Sequence, residues 1–243
     1  MTADLVLLSI ADGLATVQLN RPERKNAIIG PMMAQLAEAI DEASADESVK
    51  AVLLCGADGA FCSGIDLKAV NADPKPGWLA SQPQSLRDAH VALAKCPHPV
   101  IVALERFAIN GGAAFALAGD IVIAGDEAFL QVGEVKLGMA APNNLAWLSA
   151  RYSPATVLQI VLVGDRIYGP RLVELGIAAE SVPSDQVLAR ATELATQIAG
   201  YPAGAAAGLK KAALDLAGLS DVDAWFERVG APTAARMPTD LMK

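Results

Sequence analysis

The chain has 243 residues, a formal net charge of −8 and a composition that is 53% apolar. That length suits one domain, or one domain with a small appendage, and that apolar fraction can fill a large core. The acidic balance argues against a dedicated nucleic-acid or anionic-membrane surface, although a few local Lys and Arg can still meet phosphates.

Cys55, Cys62 and Cys96 match no metal or redox spacing, so free thiols in a reducing compartment are expected. Met1–Ile10 has no basic flank and no long apolar core, so it does not read as a secretory leader. No apolar run reaches ~18 residues without a charge or breaker, so no transmembrane helix is expected. Together these point to a cytoplasmic protein.

Leu5–Ile10 and Ala15–Leu19 are strand-like runs joined by Ala11-Asp12-Gly13, the pattern of a hairpin. Pro31–Ala45 carries apolar residues at helical spacing and starts with Pro, as first helical turns often do. Ala51–Cys55 is a continuous apolar run ended by Gly56, which predicts a strand buried on both faces. Asp58–Gly64 reads as a loop of small residues, and Asn71–Gln84, with three Pro, as a mobile surface loop. Ser85–Lys95 is a predicted helix.

Val100–Leu104 and Ile121–Ala124 are strand runs that flank a small-residue helix, Gly111–Ala118. Pro142–Tyr152 and Ala155–Leu162 are predicted helices. Beyond Ser184 only helical patterns remain, over Gln186–Ala199, Ala203–Leu216 and Val222–Val229. Alternating strands and helices followed by helices alone predict an α/β core over residues 1–183 and a helical C-terminal region over residues 184–243. No fixed-period repeat is visible.

Three constellations carry candidate chemistry. Phe61-Cys62-Ser63-Gly64-Ile65-Asp66-Leu67 follows a buried strand, and a Gly-containing loop there can turn its N–H groups outward. It can equally be an ordinary connection. Asn110-Gly111-Gly112-Ala113-Ala114 opens a helix, where the first N–H groups lack partners and the dipole is positive. Its paired glycines either admit a ligand or allow tight helix–strand packing. Glu134, in Val132-Gly133-Glu134-Val135-Lys136-Leu137-Gly138, is either a solvated carboxylate or a base.

In order and spacing these three resemble the signature of the enoyl-CoA hydratase/isomerase (crotonase) family. Leu19-Asn20-Arg21-Pro22 with Asn26-Ala27 resembles that family's N-terminal motif. Pro97–Ala103, Asp120-Ile121-Val122-Ile123-Ala124, Gly164-Asp165-Arg166 and Glu174-Leu175-Gly176-Ile177-Ala178 extend the likeness, which runs from about Leu5 to Pro183.

The resemblance implies a spiral of ββα units, assembled as a homotrimer or hexamer, that acts on an acyl-CoA thioester. Coenzyme A would enter as part of the substrate, with no separate cofactor and no metal. By alignment the oxyanion donors are the backbone N–H groups of Ile65 and Gly111. Ser63, Gly64, Asp66, Gly112 and Ala114 would line the substrate site. Arg21, Arg24 and Lys25 would lie near the nucleotide phosphates. Fixed N–H dipoles stabilise an enolate oxygen more than the ground-state carbonyl, and losing one donor typically costs roughly 2.7–4 kcal/mol.

The departures are informative. Hydratases of the family use two glutamates. The later position is Glu134 here, whereas the earlier is Ala114, which cannot transfer a proton. Isomerases of the family resemble this chain in keeping the later glutamate alone. Apolar neighbours of Glu134 are expected to raise its pKa toward the range of a general base. Met139-Ala140-Ala141-Pro142-Asn143-Asn144 replaces a Gly-rich stretch, and either Asn caps the next helix or turns an amide toward the ligand. Glu105-Arg106 replaces a usual Asn-Gly and reads as a local ion pair. His90 and His98 read as surface or helix-end residues. The family's basic-Pro tail has no counterpart before Met242-Lys243. An enoyl-CoA isomerase or hydratase-like enzyme is the leading expectation. Other enolate chemistry, decarboxylation or C–C bond formation, and a non-catalytic acyl-CoA-binding protein are the alternatives.

Overall fold

The computed structural model describes residues 4–230. The C-terminal stretch in which the family's tail has no counterpart falls outside the described residues. Strands β1 (Val6–Ala11) and β2 (Leu14–Leu19) form the expected hairpin, followed by helix α1 (Gly30–Ala45) and strand β3 (Ala51–Gly56). A short helix α2 (Leu67–Val70) and a loop lead to α3 (Gln82–Lys95) and β4 (Val100–Leu104). Next come β5 (Phe107–Ile109), α4 (Gly111–Ala118), β6 (Ile121–Gly125) and β7 (Phe129–Gln131). Helices α5 (Pro142–Arg151) and α6 (Pro154–Val163) precede β8 (Ile167–Tyr168), α7 (Gly169–Glu174) and β9 (Glu180–Val182). Helices α8 (Val187–Ala199), α9 (Ala205–Leu216) and α10 (Val222–Gly230) complete the described chain.

The main sheet runs β1-β2-β3-β4-β6-β9, antiparallel at the hairpin and parallel thereafter. Its central strands are apolar throughout because both faces are covered. Val52, Leu54, Val100, Val102 and Leu104 point into a core shared with α1, α3 and α4. The alternate residues Ala51, Leu53, Cys55, Ile101 and Ala103 meet α8 through Val187, Ala191, Ala195 and Ile198. Those four recur at helical spacing, so one stripe of α8 faces the sheet. In contrast, α9 buries no residue.

A second sheet, β5-β7-β8, was not expected from sequence. Its strands are two or three residues long, too short to show a period. The expected Glu105-Arg106 ion pair does not form; no salt bridge joins them among the described residues. The pair instead makes a tight turn into β5, with Arg106 at φ 51° and Phe107 N donating to Glu105 O at 2.6 Å.

His90 also departs from expectation. It is fully buried on α3, and its ring stacks on Phe115 with centroids 4.2 Å apart. Trp147 Nε1 donates to His90 Nδ1 at 3.2 Å, which leaves the ring proton on Nε2, where it has no partner. Trp147 in turn packs edge-on against Trp225, docking α10 on α5. An imidazole so enclosed resists charge, and burial drives its pKa down to about 3.

That shift has a sign for stability. The unfolded chain takes up the His90 proton near the ordinary 6.5, and the folded chain only near 3. Stability from this group is therefore complete above pH 6.5 and lost as pH falls toward 3, by up to roughly 1.4 kcal/mol per unit. His90→Gln keeps an acceptor for Trp147 but does not titrate. Urea unfolding at pH 7 and pH 4.5 should show the variant gaining about 2.5 kcal/mol relative to wild type at the lower pH. An unchanged difference would contradict this account of His90.

Candidate active site

The first loop is built by bracing from the N-terminal motif. Asn26 is fully buried; its Nδ2 donates to Ala57 O at 3.0 Å and Ala60 O at 2.7 Å, while its Oδ1 accepts from Arg21 N at 2.9 Å. Ser63 N donates to Lys25 O at 3.1 Å. Ile28 and Ile65 then form an isolated parallel bridge, with Ile28 N donating to Gly64 O at 2.8 Å and Asp66 N to Ile28 O at 3.0 Å. Such a bridge uses the groups flanking Ile65, so the N–H of Ile65 itself faces the other way. No described acceptor takes it.

The second loop is stitched to the first. Cys62 bridges Ala108 on β5, with Cys62 N donating to Phe107 O and Ile109 N to Cys62 O, both at 3.1 Å. Two glycines allow the approach. Gly64 sits at φ +87°, and a Cβ on it would stand 2.6 Å from Ile109 O. A Cβ on Gly112 would stand 2.6 Å from Cys62 O.

At the end of β5 the chain turns at Asn110, with φ 51° and ψ −115°, and α4 starts at Gly111. That conformation lies outside the left-handed helical well and is costly for a residue with a Cβ. Gly111 is the first helical residue, so its N–H lacks an intrahelical acceptor, and no other described group takes it. A Cβ on Gly111 would lie 3.3 Å from Ile28 Cδ1 and 3.7 Å from Ile65 Cγ1. The two free N–H groups thus belong to adjoining segments, and one of them sits at a positive helix end.

Glu134 arrives from β7. β5 and β7 pair in parallel with Ile109 opposite Gln131. Asn110 N continues that ladder to Gln131 O at 2.7 Å, and Asn110 Oδ1 accepts from Gly133 N at 2.8 Å. Glu134 is 7% exposed. Burial pushes its carboxyl up to about 7, although its own backbone N–H and the Asn144 amide pull the other way. Oε1 accepts from Asn144 Nδ2 at 2.8 Å, and Oε2 is buried without a partner.

The expected site residues are therefore placed as follows. Ser63, Gly64 and Ile65 form the first loop, Gly111 and Gly112 the second, and the network through Asn110 brings Glu134 to them. Ala114 is fully buried in α4. The carboxylate of Asp66 is already occupied: it caps α2 by accepting from Ala69 N at 2.9 Å and pairs with Arg21 Nη1 at 2.9 Å. Arg21 is spent on that pair and on Ala27 O; Arg24, whose Nε stands 3.8 Å from the same carboxylate, and Lys25 are exposed beside the first loop.

Sequence reasoning missed Asn110 as a junction. Its signal was a lone Asn between an apolar run and two glycines. The capping role offered for Asn143 or Asn144 is not met, because Ala141 occupies the cap of α5 and no side chain bonds there. Asn144 instead points inward. Burial drives the Cys55 thiol up to about 11 and the Cys62 thiol up to about 12, away from the thiolate form. No group of metal-ligating side chains occurs among the described residues, and no described helix is long and apolar enough to cross a membrane.

The chain is similar to known proteins in sequence and in fold. The family model for enoyl-CoA hydratase/isomerase matches residues 9–220. The 1,2-epoxyphenylacetyl-CoA isomerase of Escherichia coli (strain K12) is 33% identical over 224 residues, 90% of this chain and 85% of that protein. A probable enoyl-CoA hydratase, EchA14, of Mycobacterium tuberculosis is 35% identical over 205 residues, 82% of this chain and 77% of that protein. An enoyl-CoA hydratase/isomerase structure from Xanthobacter autotrophicus Py2 superposes with a TM-score of 0.83 at 32% identity, covering 99% of this chain and 91% of that one. With this fold, these loops and these relatives, the chain belongs to the enoyl-CoA hydratase/isomerase family and is an acyl-CoA enzyme of the crotonase fold.

Proposed function

We propose that this enzyme moves a double bond in an enoyl-CoA thioester, using Glu134 as its single base. The observation that carries this reading is the pairing of a buried, high-pKa Glu134 with a fully buried Ala114. Apart from Glu134, the one buried carboxylate among the described residues is Asp66, which is capped and ion-paired. Of the matched relatives, one is named an isomerase and another a hydratase, so the family alone does not choose between them.

In the proposed reaction the thioester oxygen accepts from the N–H groups of Ile65 and Gly111. Glu134 removes a proton from the α carbon of a 3-enoyl-CoA. The electron pair left on the α carbon is delocalised onto the thioester oxygen, where the two donors stabilise the developing charge, and through the double bond onto the γ carbon. The same carboxyl then returns the proton to the γ carbon, giving the 2-enoyl-CoA. Adding water would need a second group to orient and deprotonate it, and Ala114 supplies none. Arg24 and Lys25 are the cations available to the nucleotide phosphates.

We also infer a homotrimer or hexamer. Leu209 and Leu216 on α9 are 75% and 91% exposed, and Leu158 and Leu162 on α6 are 52% and 63% exposed. Apolar surface in that quantity calls for a partner.

Wild type should convert 3-enoyl-CoA far faster than it hydrates 2-enoyl-CoA. Glu134→Gln should lower isomerisation by about 10²–10⁴ while leaving thioester affinity nearly unchanged. Efficient hydration that survives Glu134→Gln would refute the single-base reading.

The pH dependence follows from the same group. A base must be ionised, so kcat/KM should rise about tenfold per unit below about pH 7 and level off above it. Stability runs in the opposite sense. The folded carboxyl titrates near 7, above its ordinary 4.5, so its stability contribution is complete below 4.5 and is lost as pH rises through 7. Glu134→Gln should therefore raise the melting temperature relative to wild type more at pH 8 than at pH 4; the reverse order would contradict the buried carboxylate.

Light scattering at micromolar concentration should return the mass of three or six chains, and a monomer mass would overturn the assembly inference.

A further inference from the structure

Asn144 is the third residue of α5 and is 1% exposed. A fully buried Asn needs a reason, since its amide must be desolvated and satisfied. Its Nδ2 spends both hydrogens outside its own helix. It donates to Glu134 Oε1 at 2.8 Å and to Asn110 O at 3.1 Å. Two oxygen acceptors on one nitrogen fix which end of the amide is which. Its Oδ1 is left buried without a partner, which a side chain serving only to fill space would avoid.

The carbonyl of Asn110 and the N–H of Gly111 belong to one peptide group. In a trans peptide these lie on opposite edges, so Asn144 grips the edge facing away from the Gly111 hydrogen. A donor on the carbonyl polarises the whole peptide and makes its N–H a stronger donor. Ala114 N adds a second bond to the same oxygen at 3.2 Å.

Resting on the assignment of Glu134 as base and Gly111 as oxyanion donor, we propose that Asn144 is a positioning residue that joins the two. One amide holds the base and the peptide that supplies the oxyanion donor as a single hydrogen-bonded unit. As the thioester oxygen gains charge and draws on the Gly111 N–H, the Asn110 carbonyl becomes a better acceptor and its bond to Asn144 tightens. The other amide hydrogen stabilises the ionised form of Glu134 and so opposes part of what burial does to it.

The test uses the full-length protein with Asn144→Ala and Asn144→Asp. Asn144→Ala removes both donors. Its kcat should fall 10- to 100-fold with KM nearly unchanged, and the apparent pKa of the base should move upward. Asn144→Asp keeps the shape but sets a carboxylate beside Glu134, so that pKa should move further up. A packing role would not produce that order. In wild type, the Asn144 side-chain amide signals in NMR should titrate with the midpoint of Glu134, and that titration should vanish in Glu134→Gln. This measurement decides the matter even if the Asn144 variants fail to fold. A wild-type pH profile and kcat in Asn144→Ala, or amide signals flat across the midpoint, would overturn the proposal. If Glu134→Gln is itself active, the base assignment fails; if it is inactive while Asn144→Ala is normal, only the link through Asn144 fails.

Discussion

Asn110 N donates to Gln131 O at 2.7 Å, extending by one rung the parallel pairing of β5 and β7. Everything in the site is referred to that rung. Neighbouring strands lie about 4.8 Å apart, so the residues just past each strand end are held side by side. Past β5 come Asn110 and Gly111, and past β7 come Val132, Gly133 and Glu134. The side chain of Asn110 closes the arrangement by accepting from Gly133 N. The first loop enters the same frame through the Cys62–Ala108 bridge. Two sheets thus divide the labour: the large one supplies the core, and the small one sets distances between loops.

The frame also explains how an unfavourable group persists. A carboxyl buried far enough to titrate near 7 is less stable in the folded protein at neutral pH than one in water. Asn110 adds a second cost, since its positive φ is a strained conformation worth roughly 1–3 kcal/mol. Backbone strain and a buried carboxyl meeting at one place is a feature expected of a site selected for chemistry and not for stability.

Much of this was legible in the chain. The long elements announced themselves: β3 and β4 by unbroken apolar runs, α1 and α8 by helical spacing, and the hairpin by Asp12-Gly13. The two glycine-bearing loops and Glu134 stood out because each follows a strand at a spacing that resembles the family pattern. What could not be read was set by tertiary contact. Strands as short as Phe107–Ile109 and Phe129–Gln131 carry no period, and only their pairing makes them strands. His90 looked like a helix-surface polar residue, but its burial depends on Phe115, Trp147 and Phe226 arriving from three other helices. The inward turn of Asn144 depends likewise on Glu134, ten residues away along the chain.

The central claim is that one enclosed carboxylate carries the proton between two carbons. A 3-enoyl-CoA deuterated at the α carbon, turned over in ordinary water and followed by NMR, tests this most directly. A carrier shielded from solvent should deliver part of the deuterium to the γ carbon of the 2-enoyl product. Complete loss of the label to water, with none at the γ carbon, would contradict the account.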